Sequence, residues 1–294
     1  VIQRPLASTL SPSTTLSNPY VVTDACGNST TRTQIINVND STSPGITGSI
    51  ATTTIEGCAA NAVAAPVTTV SALEGLGLSI SDACTSDANL VVTSSDASTG
   101  TCPIVVIRTY VVTDACGNST TRTQIINVND TTAPSITGTI ATTTVEGCTA
   151  GNATAAVATV AALEGLGLTI TDACTSDANI SVTSSDASTG TCPIVVTRTY
   201  VVTDACGNST TKTQIINVND TTAPAVTGAI TNTIVEGCTI GDAPVAVTTV
   251  AALEALTGNL QISDACTSDA SLVVSSTQTS TGTCPLVITR IYKV

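Results

Sequence analysis

Between residues 194 and 203 the chain alternates: Ile194, Val196, Arg198, Tyr200 and Val202 fall on one parity, Thr197, Thr199 and Thr203 on the other. A period of two predicts a β-strand with one buried face, on which Arg198 needs a carboxylate partner or a place at the sheet margin. Residues 135–140, 142–145, 168–171, 180–183 and 211–218 are likewise rich in Val, Ile and Thr, divided by clusters of Ser, Asp, Asn and Gly. Roughly seven such strands in about 90 residues read as a β-sandwich. The last two should form a hairpin around Asp204, Cys206, Gly207 and Asn208, since Gly and Asn tolerate the positive φ of a tight turn. Only residues 160–166 look helical, and Gly165 and Gly167 stop them after about a turn and a half.

The whole pattern recurs. Residues 20–40 return unchanged at 110–130 and, with Lys212 as the single change, at 200–220, a step of 90 residues. That step exceeds the roughly 20–50 residues of a solenoid repeat and suits one folded domain per copy. The chain therefore divides into a partial module at 1–40 (an atypical arm plus a final hairpin), repeats at 41–130 and 131–220, and a repeat at 221–294 lacking its last strand. The last repeat carries two extra residues after Glu254, as a surface loop tolerates. Pro12 stands where Cys102 and Cys192 stand in later copies, so residues 1–19 depart from the pattern.

Composition changes the picture at the core. The chain has 12 Cys and no His, Met, Trp or Phe, so each module must be built from Val, Ile, Leu and Ala. A domain of about 90 residues buries only ~60–65% of its unfolded surface and is marginal without help. Four cysteines per repeat at fixed spacings supply it, as a disulfide framework of an oxidising compartment. Zinc would call for CxxC or CxxH pairs, which are absent. Cys192 and Cys206 bracket a strand far longer than the ~6 Å a disulfide spans, so they mark opposite poles of the module. If Cys148 lies near Cys192 and Cys174 near Cys206, the expected bridges are Cys148–Cys192 and Cys174–Cys206, likewise Cys58–Cys102 and Cys84–Cys116, with Cys238 and Cys284 paired in the last repeat.

A net charge of −13 argues against nucleic acid or an anionic membrane as partner, and no apolar run is long enough to span a bilayer. Catalysis would have to rest on carboxylate pairs or on a cysteine already committed to a bridge, in three near-identical copies, so an enzyme is not expected. No cofactor is expected either. Asp40, Asp130 and Asp220 lie at module junctions and Asp172, Asp177 and Asp204 in loops, where calcium is the alternative to solvated loop acids, though without EF-hand spacing.

Cys192-Pro, Arg198-Thr-Tyr200, Asp204-Ala-Cys-Gly-Asn208 and Asn219-Asp-Thr-Thr-Ala-Pro224, with Glu-Gly-Cys and Asp-Ala-Cys upstream, resemble the HYR-like immunoglobulin-type repeats of Bacteroidota cell-surface proteins. These include gliding-motility adhesins exported by type IX secretion. The resemblance covers nearly everything from Tyr20 onward. It implies an all-β chain of tandem immunoglobulin-like sandwiches, each with two disulfides and one short helix, at the cell surface or outside the cell, in an adhesin or stalk. Ser41, Thr131 and Thr221 follow junction aspartates in the Asp-Ser/Thr-x pattern of O-glycan acceptors in such bacteria.

The phase of the repeats suggests head-to-tail self-association, in which residues 20–40 of one subunit add the missing strand to 221–294 of its neighbour and Cys266 bridges to Cys26. The alternative is a segment of a longer polypeptide that binds a carbohydrate or another surface.

Overall fold

The computed structural model of the chain describes residues 13–294. It is all-β with a few short helices. A hairpin, β1 (Ser13–Thr23) and β2 (Ser29–Asn39), is followed by β3 (Gly45–Gly48), β4 (Thr53–Glu56), α1 (Val70–Glu74), β5 (Leu78–Ser81), β6 (Val91–Thr99), β7 (Ile104–Thr113) and β8 (Ser119–Asn129). The next repeat runs β9 (Ser135–Gly138), β10 (Thr143–Glu146), α2 (Val160–Glu164), β11 (Leu168–Thr171), β12 (Ser181–Thr189), β13 (Ile194–Thr203) and β14 (Ser209–Asn219). The last holds β15 (Ala225–Thr227), α3 (Val250–Glu254), β16 (Gln261–Ser263), β17 (Ser275–Thr281) and β18 (Val287–Lys293).

Two compact units emerge, and each crosses a repeat boundary. One comprises the chain up to Ser135 together with Thr171–Ile180 and Thr203–Ser209; the other holds Ile136–Ile170, Ser181–Val202 and Thr210–Val294.

In the first unit one sheet has the order β4-β8-β7-β6, and β3 pairs with β5 in another. β6, β7 and β8 are antiparallel neighbours, whereas β4 runs parallel to β8 in a register that sets Glu56 opposite Asn129. Both sheets and the helix feed one core: Ile46 from β3, Ile80 from β5, Val70 and Leu73 from α1, Val92 from β6, and Tyr110 and Val112 from β7. The second unit repeats the design with the sheet β10-β14-β13-β12 and the pair β9 and β11. On β13 the alternation is as expected, with Val196, Arg198, Tyr200 and Val202 buried.

The helical segment is one turn long, held by its ends rather than by propensity. The Thr159 hydroxyl accepts the Ala162 N–H at 3.2 Å, and the Glu164 carboxylate accepts the Ile170 N–H at 3.2 Å, tying α2 to β11. The hairpin turn uses glycine alone: Gly207 takes φ 92°, while Asn208 keeps a negative φ and its side-chain amide donates to Asp204 Oδ2 and to the Asp130 carbonyl. Arg198 resolves its buried position by pairing with Asp186, Nε to Oδ1 and Nη2 to Oδ2 both at 2.8 Å, and by donating to the Thr154 carbonyl at 2.7 Å. Arg108 repeats this with Asp96 and the Ala64 carbonyl.

Candidate functional site: the repeat junction

Strand direction brings the chemistry to one place. Because β4 is parallel to β8, Cys58, two residues beyond Glu56, reaches the end of the sheet from which the chain leaves the repeat. Because β7 is antiparallel to β8, with Ile104 opposite Val128, Cys102 reaches the same end, its sulfur 3.3 Å from Asn129 Oδ1. The two cysteines thus reach the same end of the sheet on either side of β8, and they do not bond each other. Cys58 joins Cys174 and Cys102 joins Cys206, with Cα separations of 4.8 and 5.4 Å, and Cys148 joins Cys266 at 4.8 Å.

These bridges correct the within-repeat pairs 58–102, 148–192 and 174–206, and also the inter-subunit pair 26–266, since Cys266 is taken by Cys148. The bonds do not close a repeat on itself. The exit pole of one repeat faces the Asp-Ala-Cys loops of the next, and each cysteine reaches across. Nor are 84–116 and 238–284 joined: Cys26, Cys84, Cys192, Cys238 and Cys284 are exposed thiols, and Cys116 is half-buried. The Asp40 carboxylate, then desolvation and Asp82, push the Cys84 thiol upward. Pro12 lies outside the described residues.

The junction is also sewn by hydrogen bonds. Glu56 accepts from the Thr131 N–H at 3.1 Å and from the Thr131 hydroxyl at 2.6 Å, and from the Thr132 hydroxyl at 3.2 Å. These bonds, the Thr131 hydroxyl first, hold the Glu56 carboxyl below the usual carboxylate range. Glu146 binds Thr221 and Thr222 in the same way. The expected glycan acceptors Thr131 and Thr221 are therefore exposed, but their hydroxyl protons are engaged; Ser41 is exposed as well.

Three aspartates converge beside the bridges. Asp130, at the end of β8, meets Asp172 and Asp204 from the two Asp-Ala-Cys loops, with one carboxylate oxygen from each lying within 4.8 Å of the others. Asp40, Asp82 and Asp114 form the same triad one repeat earlier. Loop amides fix each group: Asp130 Oδ1 accepts the Thr132 N–H at 3.0 Å, Asp172 Oδ1 the Cys174 N–H at 2.9 Å, and Asp204 Oδ1 the Cys206 and Asn208 N–H groups at 2.8 Å. Asp130 is 4% exposed, and its Oδ2 is buried with no hydrogen-bond partner, as is Asp40 Oδ2. Burial, with the charges of Asp172, Asp204 and Glu56, pushes the Asp130 carboxyl up despite the Thr132 amide. Neither ion pair among the described residues involves a triad. Of the loop acids singled out in the sequence, Asp172 and Asp204 thus join Asp130, whereas Asp177 stays exposed on a short 3-10 turn. The grouping of Asp40 with Asp82 and Asp114 was legible only as the 90-residue offset of the first triad.

No helix among the described residues is long and apolar enough to cross a membrane. Compared with family models and with curated proteins, the chain matches none.

Proposed function

We propose that this chain is a structural repeat protein of an extracellular filament or adhesin stalk, built of immunoglobulin-like sandwiches joined end to end. The observation that carries the reading is that each of the three disulfides joins one repeat to the next. A bridge inside a module stabilises that module alone, whereas a bridge across a boundary passes load from module to module. Such bridges persist in an oxidising compartment, which favours a place outside the cytosol. The reading assigns no catalysis: the chain has no His, and its repeated polar clusters are built into junctions.

Self-association is part of the proposal, and one sequence in two settings supports it. Ile126 and Val128 on β8 are 4% and 1% exposed between β4 and β7, while the identical Ile36 and Val38 on β2 are 44% and 50% exposed. The last repeat has the converse defect. Residues 233–236, which correspond to β4, form no strand, with Ile234 98% and Val235 44% exposed, and β18 pairs with β17 alone. In the assembly β2 of a second copy enters between residues 233–236 and β18, and β18 replaces β1 as its antiparallel partner. Burying Ile36 and Val38 contributes about 2 kcal/mol each. Carrying the 102–206 and 148–266 spacings one repeat further pairs Cys192 with Cys26, and Cys238 with Cys84, of the second copy, and the next step of the 102–206 spacing directs Cys284 at that copy as well.

The test is electrophoresis and mass spectrometry of native material without reductant. A ladder of multiples that collapses to the 29.1 kDa chain on reduction is expected, and replacing Cys192, Cys238 and Cys284 together by Ser should abolish it. A single 29.1 kDa species that retains its exposed thiols without reductant would rule self-association out.

A further inference from the structure

We propose that the two aspartate triads, Asp130 with Asp172 and Asp204, and Asp40 with Asp82 and Asp114, are binding sites for a hard divalent cation, Ca2+. The inference stands apart from the assembly of subunits, because every ligand belongs to one chain.

Three carboxylates brought within 4.8 Å of one another place three formal charges together at partly buried positions. Elsewhere in the same fold the buried charges are matched, Arg108 by Asp96 and Arg198 by Asp186. At the triads no cationic side chain among the described residues forms an ion pair with the aspartates. Repulsion alone would splay such groups apart, yet the loop amides hold them together. Independently of the clustering, Asp130 buries an oxygen that takes no hydrogen bond while its other oxygen is satisfied by Thr132. A buried carboxylate oxygen left unsatisfied bears its full desolvation penalty, larger for a charged group than for a neutral one, unless a ligand completes it. Asp40 leaves the corresponding Oδ2 buried and unsatisfied in the first triad, so the arrangement is built twice.

The donors select the ligand class. All are hard oxygens, with no His and no thiolate among them, which favours Ca2+ or Mg2+ over zinc or copper. Two oxygens each about 2.4 Å from one Ca2+ can lie up to ~4.8 Å apart, the span the triads fit. Carboxylates on three separate chain segments, one of them half-exposed, leave room for the remaining ligands of a six- to eight-coordinate ion to be water. Mg2+, which demands a tighter octahedron, should bind more weakly. A bound ion would also lock the two Asp-Ala-Cys loops against the preceding strand end, beside the disulfides that join the same segments.

Isothermal titration of the EDTA-treated, oxidised chain with CaCl2, and separately with MgCl2, tests this. Binding of Ca2+ with a Kd of roughly 10−5 to 10−3 M is expected, with a rise in Tm of several degrees at a large excess of the ion. Asp130→Asn keeps the oxygen that accepts from Thr132 and should remove one equivalent, and Asp40→Asn another. Asp172→Asn, at a half-exposed position, repeats the first measurement should Asp130→Asn fail to fold. No heat and no change in Tm at millimolar CaCl2 would overturn the proposal. So would Ca2+ uptake of unchanged stoichiometry in the folded variants.

Discussion

At the scale of single residues the molecule shows how a buried charge is tolerated in a core of aliphatic side chains and one tyrosine per repeat, Tyr110 and Tyr200. The Arg198 side chain is 5% exposed and Asp186 40% exposed, so the guanidinium depends on its partner more than the carboxylate does. Asp186→Ala should therefore cost about 2–3 kcal/mol, at the low end for breaking a buried pair because solvent already screens Asp186. The last repeat supplies the milder variant: Gln278 stands in the slot of Asp186 and accepts from Arg290 Nε and Nη2 at 3.2 and 2.8 Å. Asp186→Gln should accordingly cost about 1 kcal/mol. The Arg198 hydrogen bonds hold the Asp186 carboxyl below its usual range. A depressed folded-state pKa means that this contribution is complete above the ordinary aspartate value near ~3.9 and is lost as the pH falls through the lowered one. Acid titration of stability should then show a smaller loss below about pH 4 in Asp186→Gln than in the parent, and an equal loss would show that the pair contributes nothing.

At the scale of elements, the short helix matters more than its five residues suggest. Leu163 is fully buried, and the Glu164 carboxylate accepts the amide of Ile170 in the following strand. Leu163→Ala should destabilise its unit by about 3 kcal/mol through the cavity it leaves, and Thr159→Ala by about 1 kcal/mol through the lost cap, both measurable by urea denaturation. The last repeat shows which part of this element is constrained. Its two extra residues lengthen the turn, with Asn259 taking φ 57°, yet Glu254 still accepts the Ile262 N–H at 2.7 Å. Length is free in the loop while the tie to the strand is kept. Most of this was readable beforehand, because period-two alternation, the glycine stops and the insertion are local signals. The parallel pairing of β4 with β8 was not. It depends on two strands some seventy residues apart, and it is what sends Cys58 to the exit pole.

At the scale of the molecule, the disulfides join segments 104 to 118 residues apart. Closing loops of that size restricts the unfolded chain by about 4–5 kcal/mol per bridge in the chain-entropy model. The double variant Cys58→Ser with Cys174→Ser should lower the Tm by roughly 10 °C, whereas removing an exposed thiol such as Cys284 should leave the Tm of the isolated chain nearly unchanged. Equal effects from the two variants would mean that the bridge across the boundary carries no stability.

The sequence by itself determined the strand-forming segments, the repeat length, the turns and the presence of an oxidised cysteine framework, because each of these follows from side-chain period, backbone preference or composition within a few residues. Only the tertiary structure decided which cysteine bonds which, and that Asp172 and Asp204 meet Asp130. Both depend on which end of a strand faces which loop of the following repeat. Identical repeats make a bond within a copy and a bond to the next copy look alike along the chain; their separation in space tells them apart.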